Sequence, residues 1–153
     1  MSGFSPSTLG RGQSAVALSH TGDTNESTLA TITIPAGSMG PNGRVSGKVS
    51  LSWTNSANNK TAKLKLAGVT LDTYGPLASS TGLMLEFEIA NRGATNSQHW
   101  IVRESRSNSS TTWVQGTATA DTTGNIDITI TGTLALGTET ITVEDYQFIV
   151  YPA

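Results

Sequence analysis

The sequence predicts an all-β protein, an antiparallel two-sheet β-sandwich of jelly-roll-like form with an extended N-terminal arm. Three observations carry that expectation. Short runs of alternating apolar and polar residues follow one another, each bounded by clusters of Gly, Pro, Asn and Asp. Thr, Val and Ile are plentiful, and these side chains suit a pleated, half-buried surface. No segment carries a sustained apolar stripe at the roughly 3.6-residue period of an amphipathic helix. At 153 residues the chain makes one domain of ordinary size, long enough to bury roughly 68–70% of its unfolded surface.

Residues 1–14 read as an extended arm broken by Pro6, Gly10 and Gly12, and residues 15–153 as the sandwich. Thr28 to Ile34 alternates and stops at Pro35, and the Gly-rich stretch Ala36 to Gly43 is a turn. From Arg44 to Thr54, Val45, Val49, Leu51 and Trp53 share one face while Ser46, Lys48, Ser50 and Ser52 share the other. The polar connector Asn55 to Lys60 suggests a hairpin into Thr61 to Ala67, with Leu51 opposite Leu64 and Val49 opposite Leu66. That register would gather Lys48, Lys63 and Lys65 on one outer face. Val69 to Tyr74 is a shorter strand ending at Gly75-Pro76. Leu83, Leu85, Phe87 and Ile89 form the cleanest inward row, with Glu86 and Glu88 outward and in reach of Lys63 or Lys65 across the sheet. Trp100 to Glu104 and Trp113 to Thr119 follow as strands, then the row Ile126, Ile128, Ile130. In the last strand Ile141 and Val143 lie at odd positions but Tyr146, Phe148 and Val150 at even ones. That phase change predicts a β-bulge at Glu144-Asp145.

Composition narrows the function. Charged residues are 13% of the chain, against about 25% in ordinary domains. Cysteine is absent, so disulfides, thiolate chemistry and cysteine metal sites are excluded. A net charge of −2 offers no general attraction to nucleic acid or to an acidic membrane. No apolar run approaches the roughly 20 residues of a membrane span, and the first residues lack the pattern of a signal peptide. His20 with Asp23 and Glu26 is too sparse for a metal site, and His20 is expected to be a solvated turn residue. Glu86 and Glu88 are better read as a solvated strand face than as a glycosidase pair. No nucleophile elbow or phosphate loop is present. No enzyme, metal or cofactor is therefore expected.

Two features point to binding instead. The loop Asn91 to Gln98 is dense in Asn, Thr, Ser and Gln around Gly93, which marks an ordered connector and a candidate docking surface. Trp100 and Trp113 alternate with Ile101 and Val114, so their strands are apolar on both faces and one of those faces needs a cover. Arg92, Arg103 and Arg106 nearby suit an interface.

Taken together, Ile34 to Gly43, the Asn58-Asn59-Lys60 turn, Asn91 to Gln98 and the ending Gly132-Thr-Leu with Thr140 to Glu144 resemble the small β-rich virion proteins of tailed bacteriophages. These are capsid decoration (cement) proteins and the terminal domains of tail appendages. The resemblance spans residues 28–151 and implies a non-enzymatic, usually oligomeric module with no catalytic residues. It leads first to a decoration protein made in the host bacterial cytoplasm, sitting on the capsid exterior. Its partners would be the major capsid protein and itself, as a homo-trimer or homo-dimer, with no nucleic acid or membrane partner. Phe4, Leu9, Arg11, Arg92, Asn96 and Arg103 would contact the shell. A short single-domain chain without a stalk favours that placement. The alternative is a tail-associated receptor-binding module that recognises host glycans through Trp100, Trp113 and Tyr74.

Overall fold

The computed structural model describes residues 10–153, so Phe4 and Leu9 lie outside the described residues. Those residues form two packed antiparallel sheets and no helix. The larger sheet runs β1 (Gly10–Ser14), β11 (Ile141–Tyr151), β4 (Arg44–Trp53), β7 (Gly82–Asn91), β8 (Gln98–Arg106), β9 (Thr112–Ala118), with the short β2 (Leu18–His20) also paired to β11. The smaller sheet runs β3 (Ser27–Ile34), β10 (Ile126–Leu134), β5 (Lys60–Leu66), β6 (Val69–Tyr74). The expected sandwich is therefore present.

Alternation selects the buried faces. Val45, Val49, Leu51, Leu85, Phe87 and Ile89 of the large sheet meet Ile32, Ile34, Leu64, Leu66, Ile128 and Ile130 of the small one, all nearly or wholly buried. At about 25 cal/mol per Å² of apolar surface, this core dominates the stability of the fold. Trp53 joins it, as its phase predicts. The register along β11 shifts between Val143 and Asp145, leaving Glu144 unpaired at the expected bulge.

Three local expectations are corrected. Strands β4 and β5 do not form a hairpin; they lie in opposite sheets, so Lys48 is separated from Lys63 and Lys65. Alternation determines which face of a strand is buried but not which strand is its neighbour. The connector crosses between layers around a buried ion pair. Lys60 Nζ donates to Ser56 Oγ (2.7 Å) and to the Asn58 carbonyl (2.9 Å), and lies 3.0 Å from Glu139 Oε2. Hydrogen bonds from Ser56 and Asn58, and then Lys60, hold the Glu139 carboxyl at about 2 against an ordinary 4.5.

The hairpin partner of β5 is β6, turned by Ala67 (φ 48°) and Gly68 (φ 80°). Two successive positive φ values make the turn that matches strand twist. Finally, residues 10–14 of the expected arm are an edge strand of the large sheet, each paired with a residue of β11 from Gly10 with Val150 to Ser14 with Tyr146.

The two glutamates of β7 also find other partners. Glu86 pairs with Arg103 (3.3 Å) and Glu88 with Arg44 (3.1 Å), all within the large sheet. Lys63 (2.5 Å) and Lys65 instead hold Glu26. Their hydrogen bonds, with one from Thr131, bring its carboxyl down to about 2.

Candidate functional site

The pairing registers place side chains on the solvent face of the large sheet in rows, because directly opposed residues project to the same side. One row reads Gln13, Gln147, Lys48, Glu86, Arg103, Trp113 across six strands. The next reads Arg11, Ile149, Ser46, Glu88, Ile101, Gln115. With neighbouring strands about 4.8 Å apart, each row is roughly 24 Å long. Most of these side chains line a depression of about 820 Å³ on this face, from Arg11 and Gln13 to Ile101 and Arg103. Trp113 stands just beyond Arg103 on the edge strand, 63% exposed.

Large aromatic side chains lie beneath this floor. On the buried side the corresponding row is Gly12, Phe148, Gly47, Phe87, Val102. A Cβ on Gly47 would come within 2.3 Å of the Phe87 ring, and one on Gly12 within 2.4 Å of the Phe148 ring. Glycines here let two large rings lie flat under the sheet, so the polar rows above sit on a closely packed base.

Of the residues singled out from sequence, the structure places Arg11 and Arg103 at opposite ends of one depression, with Trp113 beside Arg103. Arg92 and Asn96 are exposed in the β7–β8 loop, beyond the end of the strand that carries Arg103. Trp100 and Tyr74 are not platforms for a sugar. Tyr74 is wholly buried on the small sheet, and burial pushes its hydroxyl pKa upward. Trp100 is 8% exposed; its indole N–H donates to the Thr117 carbonyl at 3.3 Å and its ring covers Gly116. Strand β8 is indeed apolar on both sides, but Ile101 takes the solvent face and Trp100 the core.

The Asn91 to Gln98 loop is a fastening. Asn91 Nδ2 donates to the Gly40 carbonyl (2.9 Å) and to Thr122 Oγ1 (2.8 Å). Gln98 Nε2 donates to Asn91 Oδ1 (2.8 Å) and to the Ala120 carbonyl (2.9 Å), while the Ala120 N–H donates to Gln98 Oε1 (2.8 Å). Thr122 Oγ1 donates to the Thr95 carbonyl at 2.9 Å, and Gly93 turns the loop at φ 75°. Three loops are thereby tied at one end of the sandwich. Arg92 and Asn96 are exposed side chains of this segment.

His20 is buried where β2 pairs with β11, not solvated; its ring lies 3.5 Å from Asp23 while Glu26 is engaged elsewhere. Among the described residues, no group of three His, Asp or Glu is placed to hold a metal ion.

The rows themselves were missed from sequence, although their residues were visible. Lys48, Glu86, Glu88 and Arg103 stood out as charges at strand centres in a charge-poor chain. What was lacking was the strand order that makes them neighbours.

No protein-family model matches the sequence, nor does any curated protein. Among solved structures, the Lotus tetragonolobus seed lectin matches with a TM-score of 0.51 at 8% identity, over 95% of this chain and 94% of that one. Lectin I from Ulex europaeus, solved with the methyl glycoside of α-L-fucose, matches at 0.48 and 13% identity, over 94% and 92%. The CBM36-1 domain of a multidomain xylanase from the hindgut metagenome of Trinervitermes trinervoides matches at 0.37 and 17%, over 86% and 74%. The protein has the β-sandwich fold of the Lotus lectin, and at this identity the likeness extends to the fold alone.

Proposed function

We propose that this is a non-enzymatic glycan-binding module, a receptor-recognition domain whose site is the solvent face of the large sheet. The single observation that carries the reading is the depression of about 820 Å³ lined by amides, guanidinium groups and carboxylates, with an exposed indole at its flank. Sugar hydroxyls need donors and acceptors fixed in a plane, which Gln13, Gln147, Glu86 and Arg103 supply from one row of the sheet. The apolar face of a pyranose needs a flat partner, which Trp113 supplies. Rigid strands keep the array in register, so little ordering cost is added on binding. Association into a homo-dimer or homo-trimer would raise avidity on a surface that repeats the same sugar.

The virion setting suggested by the sequence enters as part of this proposal, with the module on a tail appendage. Capsid decoration is the competing assignment. The test is a glycan array and a cell-binding assay with the purified protein and its Trp113→Ala variant. Sugar-competed binding, weakened about tenfold in the variant with thermal stability unchanged, supports the proposal; a tenfold loss corresponds to about 1.4 kcal/mol. Stoichiometric uptake by capsid shells that no sugar competes, with no glycan or cell binding, would replace it with decoration.

A further inference from the structure

We infer that the ligand of this face is an anionic saccharide, one that carries carboxylate or sulfate groups, and this rests on the glycan reading above. The inference comes from how charges on the face are matched. Glu86 and Glu88 are its central carboxylates, and each already has a cation: Arg103 at 3.3 Å and Arg44 at 3.1 Å. Arg11 and Lys48 line the same depression, and neither has a carboxylate within ion-pair distance among the described residues. The remaining acids at that end of the sheet, Glu144 and Asp145, are at the bulge and do not line the depression. Glu144 accepts from Ser52 Oγ, and Asp145 accepts from Ser50 Oγ at 3.3 Å.

Two spare cations are therefore concentrated in one hollow of a chain whose net charge is −2. They flank Gln147 and Ile149 of the strand between them, so a group lying over that strand meets both. Ile149 and Ile101 are half-buried on this face. Low-dielectric walls beside a charge focus its field into the cleft. A neutral sugar would draw nothing from these cations, whereas a uronate or sulfate ester would gain charge-assisted hydrogen bonds. A nucleic-acid strand fits less well, because Glu86 and Glu88 sit in the middle of the face.

The experiment measures binding of the protein to polygalacturonate, dextran sulfate, neutral dextran and polyacrylate by titration over a salt series. Arg11→Gln and Lys48→Gln are tested beside the wild type; both positions are on the surface, and folding of each is checked by its melting curve. Expected is binding to polygalacturonate or dextran sulfate that weakens with salt and falls about tenfold in each variant, in line with loss of one charged hydrogen bond. Preference between those two polymers identifies carboxylate or sulfate as the source. Tight binding to neutral glycans, indifferent to salt and to both variants, overturns the anionic inference while leaving the glycan reading in place. Equal binding of polyacrylate, unaffected by Trp113→Ala, overturns it as general polyanion attraction. Failure to bind any glycan, on the array or here, removes both readings.

Discussion

Asn91 offers the sharpest test of how the loops are held. Replacing it with Asp keeps the shape and exchanges the Nδ2 donor for a carboxylate oxygen that faces the Gly40 carbonyl, 2.9 Å away in the native pair. The neutral reference is Asn91→Leu, which loses the bonds to Gly40, Thr122 and Gln98. Each partner keeps another bond: Gly40 O accepts from Gly43 N, Thr122 Oγ1 donates to Thr95 O, and Gln98 Nε2 donates to Ala120 O. No group is orphaned, so each bond costs its net value and Asn91→Leu should lose about 3 kcal/mol. For a chain of this size that is roughly 6–12 °C in Tm. Asn91→Asp should cost more, about 3–5 kcal/mol at neutral pH, because a buried charge is left without a counter-charge. Facing a carbonyl raises the folded-state pKa of the new carboxyl above its unfolded value. The penalty is therefore full at pH 7 and shrinks as pH falls through that raised pKa, where the acid can donate to Gly40. Urea unfolding followed by tryptophan fluorescence, each variant against wild type at pH 7 and pH 5, reads this directly. A cost for Asp no greater than for Leu, or one that does not change with pH, would refute the arrangement of donors in this loop.

Gly116→Ala should destabilise by about 1–3 kcal/mol through overpacking. The added Cβ would lie 2.5 Å from the Trp100 ring, so indole emission should shift to the red as the ring is displaced. Acid should unfold the protein in a defined window. Glu26 and Glu139 are both held at about 2, below the ordinary 4.5. Depressed carboxyl pKa values stabilise the fold above the unfolded value, and that contribution is lost as pH falls from about 4.5 toward 2. The urea midpoint should therefore drop across that range, and Glu26→Gln should remove part of the slope.

Much of the fold was legible because burial on one side of a strand leaves a period-two trace. The inward rows of β4 and β7 were readable residue by residue, and the slipped phase of β11 located its bulge. Neighbour relations were not, since Leu51 and Leu64 carry the same signature whether they pair within a sheet or face each other across the core. The site depended on those relations. Arg103 and Lys48 are far apart in sequence and meet only because β7 lies between β4 and β8. Trp100 misled for a related reason: Ile101 is equally apolar, and either residue satisfied the pattern.

The first described strand has a practical consequence. Arg11 and Gln13 form one bank of the hollow, and their backbone shields the edge of β11 from Tyr146 to Val150. Trimming the chain through Ser14, a natural way to ask what its leading residues do, would strip ligand contacts and bare an unpaired strand edge in one stroke, inviting self-association. A shorter deletion ending before Gly10 separates those effects.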